Sequence, residues 1–160
     1  MRATFQNTVD ILVKAYLNDT LKHQNCHACA VGNIVACNMG FEYVKAVDGD
    51  LIWKNQPYHA SWAKNTGWSN VFSTCVMGGS VSKFFTKEEY TGVAKEQIDS
   101  TGYSLEDLMK IEYAFETAEF GGGLDEYMFN GLMKVLDVLA DIHGISLESK
   151  ESAKALFVKA

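Results

Sequence analysis

The side chains best suited to chemistry fall in one short run, His23-Gln24-Asn25-Cys26-His27-Ala28-Cys29. Zinc takes thiolate and imidazole ligands, and a Cys-x-x-Cys pair supplies half of many zinc sites. Cys26, Cys29 and His23 are therefore the candidate metal set, with zinc as the candidate ion. No second Cys-x-x-Cys is present, so a fourth ligand would come from His59, Cys75 or His143. The same pair also suits thiol redox chemistry. If Asn25 caps a helix, Cys26 is its first residue, where the positive helix end favours thiolate, and Cys29 is the resolving thiol. Thioredoxin-like proteins set such a pair after a β-strand, and no β–α alternation is present here. A third reading is packing: Cys26, Cys29, Ala30, Asn33 and Cys37, beside Gly32, make a small-residue stripe on which another helix can sit closely. Cys26 and Cys37 would lie about 16 Å apart on a continuous helix. They cannot share an ion, and Cys37 reads as a small buried hydrophobe.

These residues need helices to position them. Phe5, Val9, Leu12 and Tyr16 recur at helical spacing and predict a first helix over Thr4 to Leu21. Asn25 predicts the start of a second, which runs to about Asn38 and is stopped by Gly40. Strand formers on both sides of Asp48-Gly49-Asp50 predict a β-hairpin. A short helix is expected at Ser69 to Met77. Thr86 and Glu89 fit a capping box that opens a helix to about Asp99. Ser104 and the acids after it start another, with Leu108, Ile111 and Phe115 on its apolar face. Gly121-Gly122-Gly123 breaks the chain. A helix from Leu124 to His143 follows, its stripe Met128, Leu132, Val135, Leu139 and Ile142 broadened by Phe129, Leu136 and Val138, and the breadth of that stripe predicts a central position. Gly144 ends it, and Ser146 caps a last helix ending near Val158. The fold class expected is mainly α: one compact helical domain over 1–160, of five to seven helices, with a hairpin and an irregular aromatic-rich segment at 41–85.

Two further groups invite a functional reading. Tyr43, Trp53, Tyr58, Trp62 and Trp68 could stack a base or sugar or anchor a protein partner, but such residues more often fill the core beneath a long loop. Glu112, Glu116 and Glu119 line one side of a helix, with Asp125 and Glu126 beyond the glycines. No register among them meets the calcium-loop pattern, and they read as a solvated face. The sequence contains no phosphate loop, dinucleotide fingerprint or nucleophile elbow.

Composition narrows the function classes. With 160 residues, 48% of them hydrophobic, the chain can build a core without disulfides or a structural metal. The net charge of −6 and the scatter of the 14 basic residues argue against nucleic acid. Asn7, Thr8, Asp10 and Lys14 interrupt any signal-peptide core, and no run is long and apolar enough for a membrane span. The expected location is cytoplasmic, with reduced thiols. The run His23 to Asn33, then Thr101-Gly102-Tyr103-Ser104, then Phe129-Asn130-Gly131-Leu132-Met133, resembles uncharacterised small proteins of Bacteroidetes bacteria and their phages. The resemblance spans most of the chain and implies a phage-linked accessory or structural protein, in the host cytosol or the phage particle, without assigning catalytic residues. The expected function is accordingly a non-catalytic binding or structural protein, with a protein partner or a second copy as its partner. The alternatives are a thiol-dependent redox protein using Cys26 and Cys29, and a zinc-binding module.

Overall fold

The structure, a computed structural model, describes residues 2–56, 67–72, 90 and 92–159. The described residues form six α-helices and one two-stranded antiparallel hairpin, so the fold is mainly α. The helices are α1 (Phe5–Leu17), α2 (Ala30–Met39), α3 (Gly92–Ser100), α4 (Leu105–Glu116), α5 (Leu124–His143) and α6 (Leu147–Lys154). The strands are β1 (Tyr43–Lys45) and β2 (Leu51–Trp53), with Val44 opposite Ile52.

The helix ends follow local chemistry. The side-chain oxygens of Thr4, Ser104 and Ser146 accept from the backbone N–H three residues on, capping α1, α4 and α6. Gly40 and Gly144 close α2 and α5 in the left-handed conformation. Three boundaries differ from the expectation. α1 stops at Leu17 rather than Leu21, because the chain turns at Asp19, whose φ is 57°. α2 begins at Ala30 rather than Asn25, and α6 ends at Lys154 rather than near Val158. The expected helix at 69–77 is represented among the described residues by a 3-10 turn, Trp68–Asn70. The Thr86 capping box lies outside the described residues.

α4 and α5 pack along each other, joined by the turn at Gly121 and Gly122. Leu108, Ile111 and Phe115 of α4 meet Leu132, Val135, Leu136 and Leu139 of α5, all fully buried. The stripe read from the sequence is thus central to the core; Phe129, expected to broaden it, is instead exposed. Gly131 permits the close approach. A Cβ there would lie 2.8 Å from the Phe115 carbonyl oxygen and 3.2 Å from the His23 ring. α1 contributes Val9 and Leu12 to the same core and contacts both α2 and α5. α6 is tied to α5 by Lys150 and Lys154, 3.3 and 2.9 Å from Asp137.

Removing a fully buried leucine side chain leaves a cavity that close-packed neighbours fill only in part. Leu132→Ala should therefore lower unfolding stability by about 2–5 kcal/mol. Leu124→Ala, at a position 74% exposed, should cost no more than about 0.5 kcal/mol. Denaturant unfolding of the two variants checks the assignment of centre and rim.

Candidate functional site

The reactive run occupies the connection between α1 and α2, where residues 25–29 are buried without forming a helix or strand. Buried irregular backbone must find hydrogen-bond partners, and side chains supply many of them. Asn25 Oδ1 accepts from the N–H groups of His27 (2.9 Å) and Ala28 (3.1 Å). Its amide donates to Asp50 Oδ1 and the Leu51 carbonyl, both at 3.0 Å, which joins the loop to the hairpin. From α2, the Asn33 amide reaches the carbonyls of Thr20, Ala28 and Cys29 at 2.7, 3.1 and 3.2 Å. The His27 carbonyl accepts from Tyr43 Oη at 2.5 Å and Trp53 Nε1 at 3.0 Å. Burial pushes the Tyr43 phenol far above its ordinary pKa, so it remains a neutral donor. Gly32 is required by proximity: a Cβ there would sit 2.4 Å from the same His27 oxygen.

The thiols are placed differently from the expectation. Cys29, not Asn25, is the N-cap residue of α2: its Sγ accepts from Gly32 N–H at 3.3 Å and its S–H donates to Glu112 Oε2 at 3.6 Å. Cys26 precedes the helix by a turn and so lacks the helix-end position on which its role as attacking thiol depended. Both sulfurs belong to fully buried residues. Cys37 is exposed, which corrects its reading as a buried hydrophobe. The structure does not gather Cys26, Cys29 and His23 into a ligand set. Among the described residues, no three His, Cys, Asp or Glu side chains converge in a way that could hold a metal ion. The physical reason is that Cys29 is turned to the helix end and Glu112, while His23 is stacked against rings of α4 and α5. Of the distant ligand candidates, His59 and Cys75 lie outside the described residues.

Glu112 and Glu116, read as part of a solvated face, are both buried. They lie one turn apart on the side of α4 that the α1–α2 connection covers. Glu116 organises what lies outside it. Its Oε2 accepts from Gln24 N–H at 3.0 Å, its Oε1 stands 3.6 Å from His23 Nδ1, and its backbone carbonyl accepts from Tyr127 Oη at 2.7 Å. The His23 imidazole lies between two parallel rings, Phe115 at 4.3 Å and Tyr127 at 3.6 Å between centroids. Phe120 leans on Tyr127 at 5.8 Å, completing a column of four rings from core to surface. The column ends at a cleft of about 450 Å³ bounded by Tyr16, Asp19, residues 21–24, the start of α5 and Lys159. Its apolar wall includes Phe120, Leu124 and Met128, and Phe120 and Leu124 are exposed. Sequence reasoning missed this cleft; the only signal was the pairing of exposed apolar residues with acids around the glycine break.

The remaining sequence candidates are structural in their placement. Tyr43, Trp53 and Trp68 serve the core rather than a stacking surface: Trp53 and Trp68 are buried, and the Trp68 backbone N–H donates to Gln97 Oε1 at 2.9 Å. Tyr58 and Trp62 lie outside the described residues. His143 Nε2 is 2.8 Å from Tyr103 Oη, which is 2.6 Å from Thr8 Oγ1, so this chain of contacts ties α5 to α1.

Two outcomes follow from this geometry. Gly32→Ala should destabilise by about 1–3 kcal/mol in denaturant unfolding, because the gain in helix propensity is smaller than the cost of displacing a buried carbonyl. Desolvation, partly opposed by the Asp107 charge, lowers the His143 pKa from 6.5. A histidine depressed on folding binds fewer protons in the folded state, so its contribution falls as pH drops below about 6.5. An NMR titration should place the His143 midpoint below that value, and His143→Gln should flatten the loss of stability between pH of about 7 and 5.

Comparison of the chain with protein-family models, curated proteins and solved structures finds no match.

Proposed function

We propose that this chain is a non-catalytic binding protein, an accessory or structural component whose ligand seats in the cleft at the end of the ring column. The observation that carries the reading is the cleft itself: exposed Phe120 and Leu124 beside a fixed aromatic floor. Apolar residues held open to water around a concavity are a common mark of a binding surface. The bonding of the reactive run points the same way. Asn25, Cys29 and Asn33 are engaged in holding buried backbone or a helix end, and His23 is held between rings. The resemblance to small proteins of Bacteroidetes bacteria and their phages supports an accessory role in the host cytosol or the phage particle. No described helix is long and apolar enough to cross a membrane.

The thiol-dependent redox alternative rests on one observation, the position of Cys29 Sγ at the N-terminus of α2, where the helix end favours thiolate. Its burial opposes exchange with any partner in solution.

Alkylation distinguishes the two. In a Cys37→Ser, Cys75→Ser protein, Cys26 and Cys29 should react with iodoacetamide only on unfolding. Rapid modification of the folded protein below the ordinary thiol pKa of about 8.5 would favour the redox reading, and stoichiometric zinc in protein purified without added metal would favour the zinc module. For the cleft, fragment mixtures followed by NMR should shift the ring resonances of Phe120 and Tyr127. Shifts at those residues that track protein concentration alone would instead identify a second copy of the chain as the occupant.

A further inference from the structure

We infer that the cleft takes a small zwitterion with an apolar side chain, of the chemical class of the aliphatic and aromatic α-amino acids; the inference rests on the cleft being the binding site proposed above. Four charged side chains line it, Asp19, Lys22, Asp125 and Lys159. Two of them already satisfy each other. Lys159 Nζ is 2.5 Å from Asp19 Oδ1 and lies 4.8 Å above the Tyr16 ring, which fixes that end of the cleft. Lys22 and Asp125 form no ion pair within 4.0 Å with each other or with any other described residue. The cleft thus offers a cation and an anion that are not held in an ion pair, Lys22 on the α1–α2 connection and Asp125 in the first turn of α5, each near enough to the Asp19–Lys159 pair to act on it electrostatically.

The charge balance selects the ligand class. A simple anion would be drawn to Lys22 but repelled by Asp125, and a simple cation would meet the reverse. A ligand bearing both charges leaves neither side chain facing a like charge. The same cleft is lined by the exposed apolar groups of Phe120 and Leu124 and by the more buried Met128 and Leu21. They provide a surface for an aliphatic or aromatic side chain, and removal of that apolar area from water supplies affinity that exposed charge pairs alone do not. The volume of about 450 Å³ lies within the range of small-molecule sites. The floor is set before binding, since Tyr127 is stacked on His23 and bonded to the Glu116 carbonyl. Little ordering then opposes association.

Titration calorimetry on the full chain tests this with four probes: L-phenylalanine, L-leucine, 3-phenylpropionate, which lacks the ammonium, and phenethylamine, which lacks the carboxylate. The two amino acids should bind, and each single-charge analogue of phenylalanine should bind about tenfold more weakly or worse. Lys22→Ala should weaken L-phenylalanine about as much while leaving phenethylamine unchanged, and Asp125→Ala should weaken it while leaving 3-phenylpropionate unchanged. Both positions are exposed, and circular dichroism verifies that the variants fold. Binding of either analogue as tight as that of L-phenylalanine overturns the zwitterion but keeps the cleft as a ligand site. No heat with any probe, together with no shift of the Phe120 and Tyr127 resonances, overturns both.

Discussion

A stretch of backbone with no helical or strand repeat, residues 25–29, lies buried against α4 and the hairpin, and this is the constraint around which the described part of the molecule is organised. Water cannot serve peptide groups so placed, so neighbouring elements must. α2 supplies Asn33 and the hairpin supplies Tyr43 and Trp53, while α4 accepts the Cys29 S–H at Glu112 and, just before the stretch, the Gln24 N–H at Glu116. Each of those elements is thereby held in place by what it gives. The hairpin has only three residues in each strand, too few to be stable alone. Its attachment to the His27 carbonyl and to Asn25 is what holds it.

The buried carboxylates show how such a loop shapes a site. A charge removed from water is tolerated where hydrogen-bond donors reach it. Glu116 has the Gln24 N–H, and the chain must approach closely enough to bring His23 with it. His23 then separates Phe115 from Tyr127, and Gly131 leaves room for the imidazole edge. The ring column and the cleft at its end are consequences of satisfying one buried acid. Phe120, at the surface end of the column, is connected through rings to Phe115 in the last turn of α4.

What was legible in the sequence was what local chemistry decides. α5 begins at Leu124 and ends at His143 as its periodicity and flanking glycines require, and Ser104 caps α4 as its type suggests. The hairpin follows from strand formers around Asp48-Gly49-Asp50. What was not legible depends on partners far along the chain. Asn25 has the side chain of a helix cap, but it caps a turn, because α2 must begin later for Gly32 to meet the His27 carbonyl. Glu112 and Glu116 share the spacing of a solvated helix face; only the covering loop, more than eighty residues earlier, buries them. The same loop explains the reactive run. Neighbours in sequence, His23 and Cys29 meet different partners, with the chain turning between them at Gln24, whose φ is 56°.

The reach of these contacts also governs when the structure can form. The α1–α2 connection depends on Glu116 and Tyr127, and α1 itself packs on α5. During synthesis, a chain emerging at about 5–20 residues per second leaves α1 and α2 without those partners for several seconds. The buried loop can have no native surroundings until α4 and the first turns of α5 have left the ribosome. Over that interval the apolar faces of Val9, Leu12, Val31 and Ile34 are unprotected, so the N-terminal third of the chain is the part a chaperone would meet first.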